Sequence, residues 1–241
     1  MAYNRKDGFF HKAQKEGYAA RSIYKLEAID ERFKLIRRGD RALDLGCAPG
    51  SWLQYLDKRV GAQGEVVGID LKTVRAVVSA RVRVVQGDLL KTPLEALSPK
   101  GHRFDVIVSD MAPNTSGVRS LDQERSAQLT TAAFEVCPRL LRLGGNWCAK
   151  AFQGEPLKEL EARLESVFDR FERLRPPATR KNSFEIFLIG LGYRGPLADA
   201  WWRKNPATHG RPLTDGGSGS PASALDAWTN SRRSSGYRSS R

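Results

Sequence analysis

The chain is poor in cysteine, in acid and in long apolar runs. Three cysteines, Cys47, Cys137 and Cys148, stand among 241 residues, an odd number without metal-ligand spacing. That argues against a disulfide framework and for a reducing, cytoplasmic setting. No apolar run approaches the roughly 20 residues that cross a bilayer, so no membrane association is expected. The first residues, MAYNRKDGFFHKAQKEGY, lack the apolar core of a secretory signal. Acids are outnumbered: 27 Asp and Glu face 40 Lys and Arg, a net charge of +13 with histidine neutral. A surplus of that size implies a polyanionic partner.

The surplus is uneven. Residues 1–25 carry six basic and two acidic side chains, and residues 196–241 carry seven and three. The last 46 residues also change character, with 17 of them Ser, Gly or Pro. Such a segment buries too little apolar surface to offset its ordering entropy. The expected organisation is one domain over 1–195 with a basic N-terminal segment, then a disordered tail over 196–241. Trp201, Trp202 and Trp228 are exceptions within the tail, suited to stacking on bases or to docking on the domain.

Between Arg41 and Gly192 short apolar runs alternate with helical patterns. Strands are expected at 42–46, 65–71, 82–88, 105–111, 146–152, 171–176 and 184–192. Several are nearly continuous in Val, Ile and Leu, as in strands buried on both faces. Helices are expected at 22–33, 50–58, about 121–143 and 155–168. Alternation of this kind means a parallel sheet covered on both faces. No helix separates the last two strands, which predicts a hairpin.

An open α/β sheet binds its ligands at the carboxyl ends of its strands. DLGCAPGSW, residues 44–52, follows the first strand. Its glycines permit close backbone approach, but neither GxGxxG nor GK[ST] is present, which disfavours a dinucleotide or phosphate cradle. Asp44, Asp70 and Asp88 close the first three strands. A carboxylate at the second suits ribose hydroxyls, and one at the third suits an adenine amino group. Three acids round a glycine turn describe an S-adenosylmethionine pocket. Asp110, Lys150 and Glu185 each interrupt an apolar strand near its working end, which is costly unless the charges are paired. A buried structural ion pair is the plainer account of them. No metal-ligating cluster is visible.

These pieces resemble the FtsJ (RrmJ-type) ribosomal RNA 2′-O-ribose methyltransferases. RSIYKL at 21–26, DLGCAPGSW at 44–52, Gly87-Asp88, SDMAPNTSG at 109–117, AKAFQG at 149–154 and SFEIFLIG at 183–190 occur in that family's order. The resemblance implies a Rossmann-like methyltransferase fold, a seven-stranded mostly parallel sheet with its last strand antiparallel and helices on both faces. It implies Lys25, Asp110, Lys150 and Glu185 as the catalytic tetrad. Gly50, Trp52, Asp70, Asp88 and Asp110 are implied as binding S-adenosyl-L-methionine. The implied partner is ribosomal RNA, in the assembled large subunit, met by a monomer and methylated on a uridine. Arg5, Lys6, Lys12, Lys15 and Arg21, with Arg180 and Lys181 as lesser candidates, are expected to meet RNA phosphates. The rival expectations are a transfer RNA substrate, RNA binding without catalysis, a cytosine-carbon methyltransferase using Cys137 or Cys148, and a nicotinamide dehydrogenase.

Overall fold

Asp7 opens α1 (Gly8–Lys15) by accepting the Phe10 amide on its side chain at 3.0 Å, and Lys12 and Lys15 stand in the last turn of the helix. Both features complement the helix dipole. In this computed structural model residues 7–180 and 183–195 are described. The expected tail, with its three tryptophans, and Arg5, Lys6 and Lys181 lie outside them. After α2 (Ile23–Phe33) the chain enters β1 (Arg41–Leu45), α3 (Ser51–Val60), β2 (Glu65–Asp70), β3 (Val82–Gln86) and α4 (Leu94–Leu97). Then come β4 (Phe104–Ser109), α5 (Arg119–Glu135), α6 (Cys137–Leu140), β5 (Leu141–Phe152), a 3-10 turn (Glu155–Leu157), α7 (Lys158–Val167), β6 (Phe168–Leu174) and β7 (Glu185–Tyr193).

The seven strands form one sheet in the order β3-β2-β1-β4-β5-β7-β6. All neighbours are parallel except the two pairs that contain β7, which runs antiparallel to both β5 and β6. This is the Rossmann-like methyltransferase arrangement expected from the sequence. The central strands are apolar on both faces because both faces are covered: Leu43, Leu45, Val67, Ile107 and Val108 are all fully buried. Each such side chain contributes about 1.5–3 kcal/mol over an exposed one. Helices α1, α2 and α3 share a core with one face of the sheet through Leu26, Ile29, Leu53, Val106 and Phe187. Helix α5 packs along β5, and α7 packs on β6 and β7.

Two expectations need correction. The helix expected to run from 121 to 143 ends at Glu135; α6 then makes one turn, and β5 has begun by Leu141. Pro138 supplies the reason, because it lacks an amide proton and disfavours helix at the residue before it. The Gly144-Gly145 pair, expected to stop a helix, instead lies in an irregular stretch of β5. There β5 advances five positions, from Leu141 to Asn146, while β4 advances two, from Phe104 to Val106. Gly144 has φ +70°, the left-handed conformation such a bulge requires. The second correction is Phe184, expected in the last strand, which stands just before β7.

No helix among the described residues is long and apolar enough to cross a membrane. Sheet order reverses direction between β1 and β4, the switch point at whose carboxyl ends open α/β sheets hold their ligands.

Candidate active site

Gly46 and Gly50 shape the turn from β1 into α3. Gly46 has φ +80°, and a side chain there would strike Met111. Gly50 has φ +115°, and a Cβ there would lie 2.4 Å from that of Ala76. The turn is therefore closed between the loops that follow β4 and β2. No side chain caps α3. The amides of its first turn, Trp52 among them, have no intrahelical acceptor and form a ready anion site. The Trp52 side chain is employed elsewhere. It is 2% exposed, its indole donates to the Ser22 carbonyl at 2.9 Å, and its ring packs on Phe187. Any ligand contact from Trp52 thus falls to its backbone.

The strand-end acids behave differently from one another. Asp70 receives the Ala48 amide at 2.9 Å on one oxygen and the Lys72 amide at 2.7 Å on the other. Asp88 receives the Leu90 amide at 3.0 Å. Asp70 thus braces both the glycine turn and its own loop, and Asp88 braces the turn that follows β3. Each carboxylate oxygen retains a second lone pair for a ligand. Asp44 is completely buried, and neither of its oxygens has a hydrogen-bond partner among the described residues. Burial, then the nearby Asp110 and Asp70 charges, push its carboxyl well above the usual range. Such a group waits for a cation. No group of three or more His, Cys, Asp or Glu among the described residues has metal-binding geometry.

The tetrad expected from the sequence is assembled by strand register. Ser109 on β4 stands opposite Ala149 on β5, so Asp110 falls beside Lys150. On the other side of β5, Phe187 stands opposite Lys150, and Glu185 opposite Phe152. Lys150 is 8% exposed. Its ammonium donates to the Asp110 carboxylate at 2.9 Å and to the Asp110 carbonyl at 2.6 Å. From α2, Lys25 reaches over to form an ion pair with Glu185 at 2.6 Å. Lys25 also sits 6.0 Å from the centre of the Phe187 ring. Two cation–carboxylate pairs therefore lie side by side at the carboxyl edge, on the face covered by α2 and α3. The Lys150–Asp110 pair matches the plainer account, a buried lysine paired with one carboxylate, and the Lys25–Glu185 pair stands in addition to it. The end of β5 is held from its other side, where the Thr130 hydroxyl donates to the Lys150 carbonyl at 2.9 Å and the Phe152 amide donates to Ser126 at 2.9 Å.

Phe187 carries no signal of its own in the sequence, although it lies two residues from Glu185 and hence on the same face of its strand. Asp30 is a second residue that sequence reasoning misses. It is buried on α2, accepting from the Ile36 amide, the Tyr55 hydroxyl and the Arg59 guanidinium at 2.9, 2.9 and 2.6 Å. These bonds tie α2, which carries Lys25, to α3, which carries the glycine turn.

The N-terminal cations divide. Lys15 is exposed. Lys12 lies 4.3 Å from the centre of the Tyr24 ring, with its side chain half exposed. Arg21 plays a structural part. It pairs with Asp7 and donates to the Ala178 carbonyl, so α1 is tied to the segment before β7. Arg180 approaches the same Asp7 at 3.6 Å. All three cysteines are buried, and burial pushes each thiol up, away from a reactive thiolate. The cysteine-nucleophile rival loses its reagent.

The chain matches the FtsJ-like methyltransferase family over residues 18–193. The ribosomal RNA large subunit methyltransferase E of Syntrophobacter fumaroxidans is 45% identical over 195 residues, covering 80% of this chain and 99% of its own. Its namesake from Bdellovibrio bacteriovorus is 42% identical over 195 residues, 79% of this chain and 98% of its own. Among solved structures, a Plasmodium falciparum protein put forward as a ribosomal RNA methyltransferase superposes with a TM-score of 0.66 at 25% identity. That alignment covers 74% of this chain and all of the other.

Proposed function

The chain belongs to the FtsJ-like methyltransferase family, and on that footing we propose that it methylates a ribose 2′-hydroxyl of large-subunit ribosomal RNA, on a uridine, drawing the methyl group from S-adenosylmethionine. The observation that carries the reading is the juxtaposition of the Lys150–Asp110 and Lys25–Glu185 pairs with the switch point at β1 and β4.

The described residues fit the methyl donor. Asp44 offers a buried carboxylate without a partner to the donor's cationic methionyl end. The free amides at the start of α3, those of Gly50 and Trp52's turn, suit its carboxylate. Asp70 suits the ribose hydroxyls and Asp88 the adenine amino group, each through lone pairs its turn leaves over. Asp110, at the same switch point, links the donor's pocket to Lys150. When bound, the donor supplies a methyl group already activated by positive sulfur.

Alignment and proton removal then fall to the protein. Lys150 spends two of its hydrogen bonds on Asp110, which fixes its amine at one place. Once the ammonium has given up a proton to solvent, its third position is a lone pair that meets the acceptor hydroxyl, steering the oxygen and taking its proton as the C–O bond forms and the carbon–sulfur bond breaks. Glu185 and Lys25 hold the ribose from the other side, with Lys25 next to the acceptor phosphate. Lys12 and Lys15 extend the cationic path along α1. The reaction takes place in the cytoplasm, on a monomer bound to the large subunit.

Lys150→Ala tests this. We expect a loss of at least about a thousandfold in methyl transfer, the size typical of a removed acid–base group, with S-adenosylmethionine affinity unchanged within threefold. Full activity in that variant would remove Lys150 from its role. A transferred methyl found in transfer RNA would overturn the substrate.

A further inference from the structure

The loop that leads from Asp110 into α5 ends on a cation that the tetrad does not use. Arg119, the first residue of α5, is exposed and forms no ion pair among the described residues. The acid of its own turn, Asp122, is taken up by the Ser116 amide and hydroxyl and the Gly117 amide, at 2.7, 2.9 and 3.2 Å. The dipole of α5 gives no support either, since the start of a helix favours anions. What Arg119 meets is an aromatic ring: its guanidinium carbon lies 5.5 Å from the centre of the Phe184 ring.

Phe184 is half-buried and directly precedes Glu185. It packs edge to face with Phe152, the ring centres 4.8 Å apart. Phe152 stands opposite Glu185 in the register of β5 and β7, two residues beyond Lys150. At about 3.3 Å per residue, two residues are roughly 7 Å of strand. Backbone bonds brace the arrangement. The Gln153 amide donates to the Phe184 carbonyl at 2.9 Å, and the side chain of Gln123, in the first turns of α5, donates to the Gln153 carbonyl. Ring and cation are thus held at one strand end, beside the tetrad and outside it.

The contact between cation and ring is easily exchanged. At an exposed site it is worth about two- to fivefold in an equilibrium constant, whereas a base stacked on an aromatic ring is worth about five- to 150-fold. A phosphate draws the guanidinium off the ring, and the face it leaves accepts a base. Aromatic face and nearby cation are the two requirements of single-strand recognition.

We propose that Phe184 and Arg119 form a binding subsite for the nucleotide that adjoins the acceptor in the RNA strand, with its base stacked on the Phe184 ring and its phosphate on Arg119. Stacking of this kind tolerates any base, so the subsite positions the strand over Lys150 without reading its sequence. It rests on the ribosomal RNA reading above and adds to it the side chains that fix the strand next to the methylated ribose.

The test compares Phe184→Leu, Phe184→Tyr and Arg119→Gln, with unmethylated large ribosomal subunits as the substrate. Leucine keeps an apolar side chain in the same place, but only tyrosine keeps a face for stacking. Phe184→Leu should raise the KM for the subunits about tenfold, with the loss falling on KM rather than on kcat. Phe184→Tyr should return KM to within about twofold of the unaltered enzyme. Arg119→Gln should make the slope of log affinity against log salt shallower by about 0.7, as for one lost single-strand phosphate contact. S-adenosylmethionine affinity should stay within about twofold in all three. Because Arg119 is exposed, its variant keeps the test open should Phe184→Leu lose its fold. An unmoved KM in Phe184→Leu, equal losses in Phe184→Leu and Phe184→Tyr, or an unchanged salt slope in Arg119→Gln would each overturn the subsite. If the unaltered enzyme fails to label these subunits at all, the ribosomal RNA reading itself fails. Normal labelling with indifferent variants defeats the subsite alone.

Discussion

Asp44 is a buried carboxyl group near two others, with no side-chain hydrogen bond among the described residues, which makes it a liability to the ligand-free protein. Its carboxyl is pushed up by burial, so its folded-state proton affinity exceeds that of the unfolded chain. A raised carboxyl is least costly below the unfolded value, about 3.9. The cost grows as pH rises toward the folded value. Asp44→Asn removes it. What is relieved is the cost of ionising the buried carboxyl, about 1.4 kcal/mol for each tenfold rise in its proton affinity. At about 2–4 °C per kcal/mol for a domain of this size, the variant should melt several degrees higher at pH 7.5. The gain should shrink toward pH 4.5, and S-adenosylmethionine affinity should fall at least tenfold. Scanning calorimetry and binding calorimetry at three pH values check both halves. A variant that melts lower while binding normally would show that Asp44 has a partner in the folded chain. The acid itself was legible as a strand-end residue in DLG. Its isolation was not, because that depends on Asp110 and Asp70 arriving from strands far along the chain.

Elements decide where Lys25 can act. Helix α2 is fixed to α3 by Asp30, and Lys34 ends it in a left-handed conformation that returns the chain toward β1. Removing one member of a buried charged network costs about 3–5 kcal/mol because its partners stay buried. Asp30→Ala should lower stability by that amount in urea titrations. Under conditions where it remains folded it should also slow methyl transfer, since Lys25 loses its platform, while leaving Phe187 and Lys150 in place. A change below about 1 kcal/mol, the size of a single solvated hydrogen bond, would show that Arg59 and Tyr55 find water instead. The strands that were legible are those with strong apolar patterns, such as EVVGID and FEIFLIGLG, each placed to within one residue at either end. The end of α5 was not legible because a glycine pair serves equally as a helix stop and as a bulge. Only pairing with β4 separates the two. Asp30 gave no sequence signal, since an acid on a helix ordinarily faces solvent.

At the scale of the molecule, β7 is the element that completes the site. Inserted between β5 and β6 and antiparallel to both, it brings Glu185 to the carboxyl edge at its first residue. A parallel strand there would have placed that residue at the opposite edge. The antiparallel hairpin was legible from the missing helix between the last strands. The motif residues at 25, 110, 150 and 185 were legible by resemblance, and register explains why residues so distant in sequence converge. The family match ends at residue 193, where β7 also ends. A chain cut after Gly195 should therefore keep its melting temperature within about 2 °C, less than 1 kcal/mol is worth in a domain of this size, and its S-adenosylmethionine affinity within twofold. Calorimetry on the shortened chain checks this, and a loss of folding would assign residues 196–241 to the core.

The central claim is methyl transfer to a ribose 2′-oxygen through Lys150. It is met most directly by incubating S-adenosylmethionine labelled in its methyl group with unmethylated large ribosomal subunits and either the unaltered enzyme or Lys150→Ala. After nuclease digestion the labelled nucleoside is identified by mass spectrometry. The account predicts 2′-O-methyluridine from large-subunit RNA with the unaltered enzyme and none above background with Lys150→Ala. Label on a base, or equal 2′-O-methyluridine from both proteins, would contradict it.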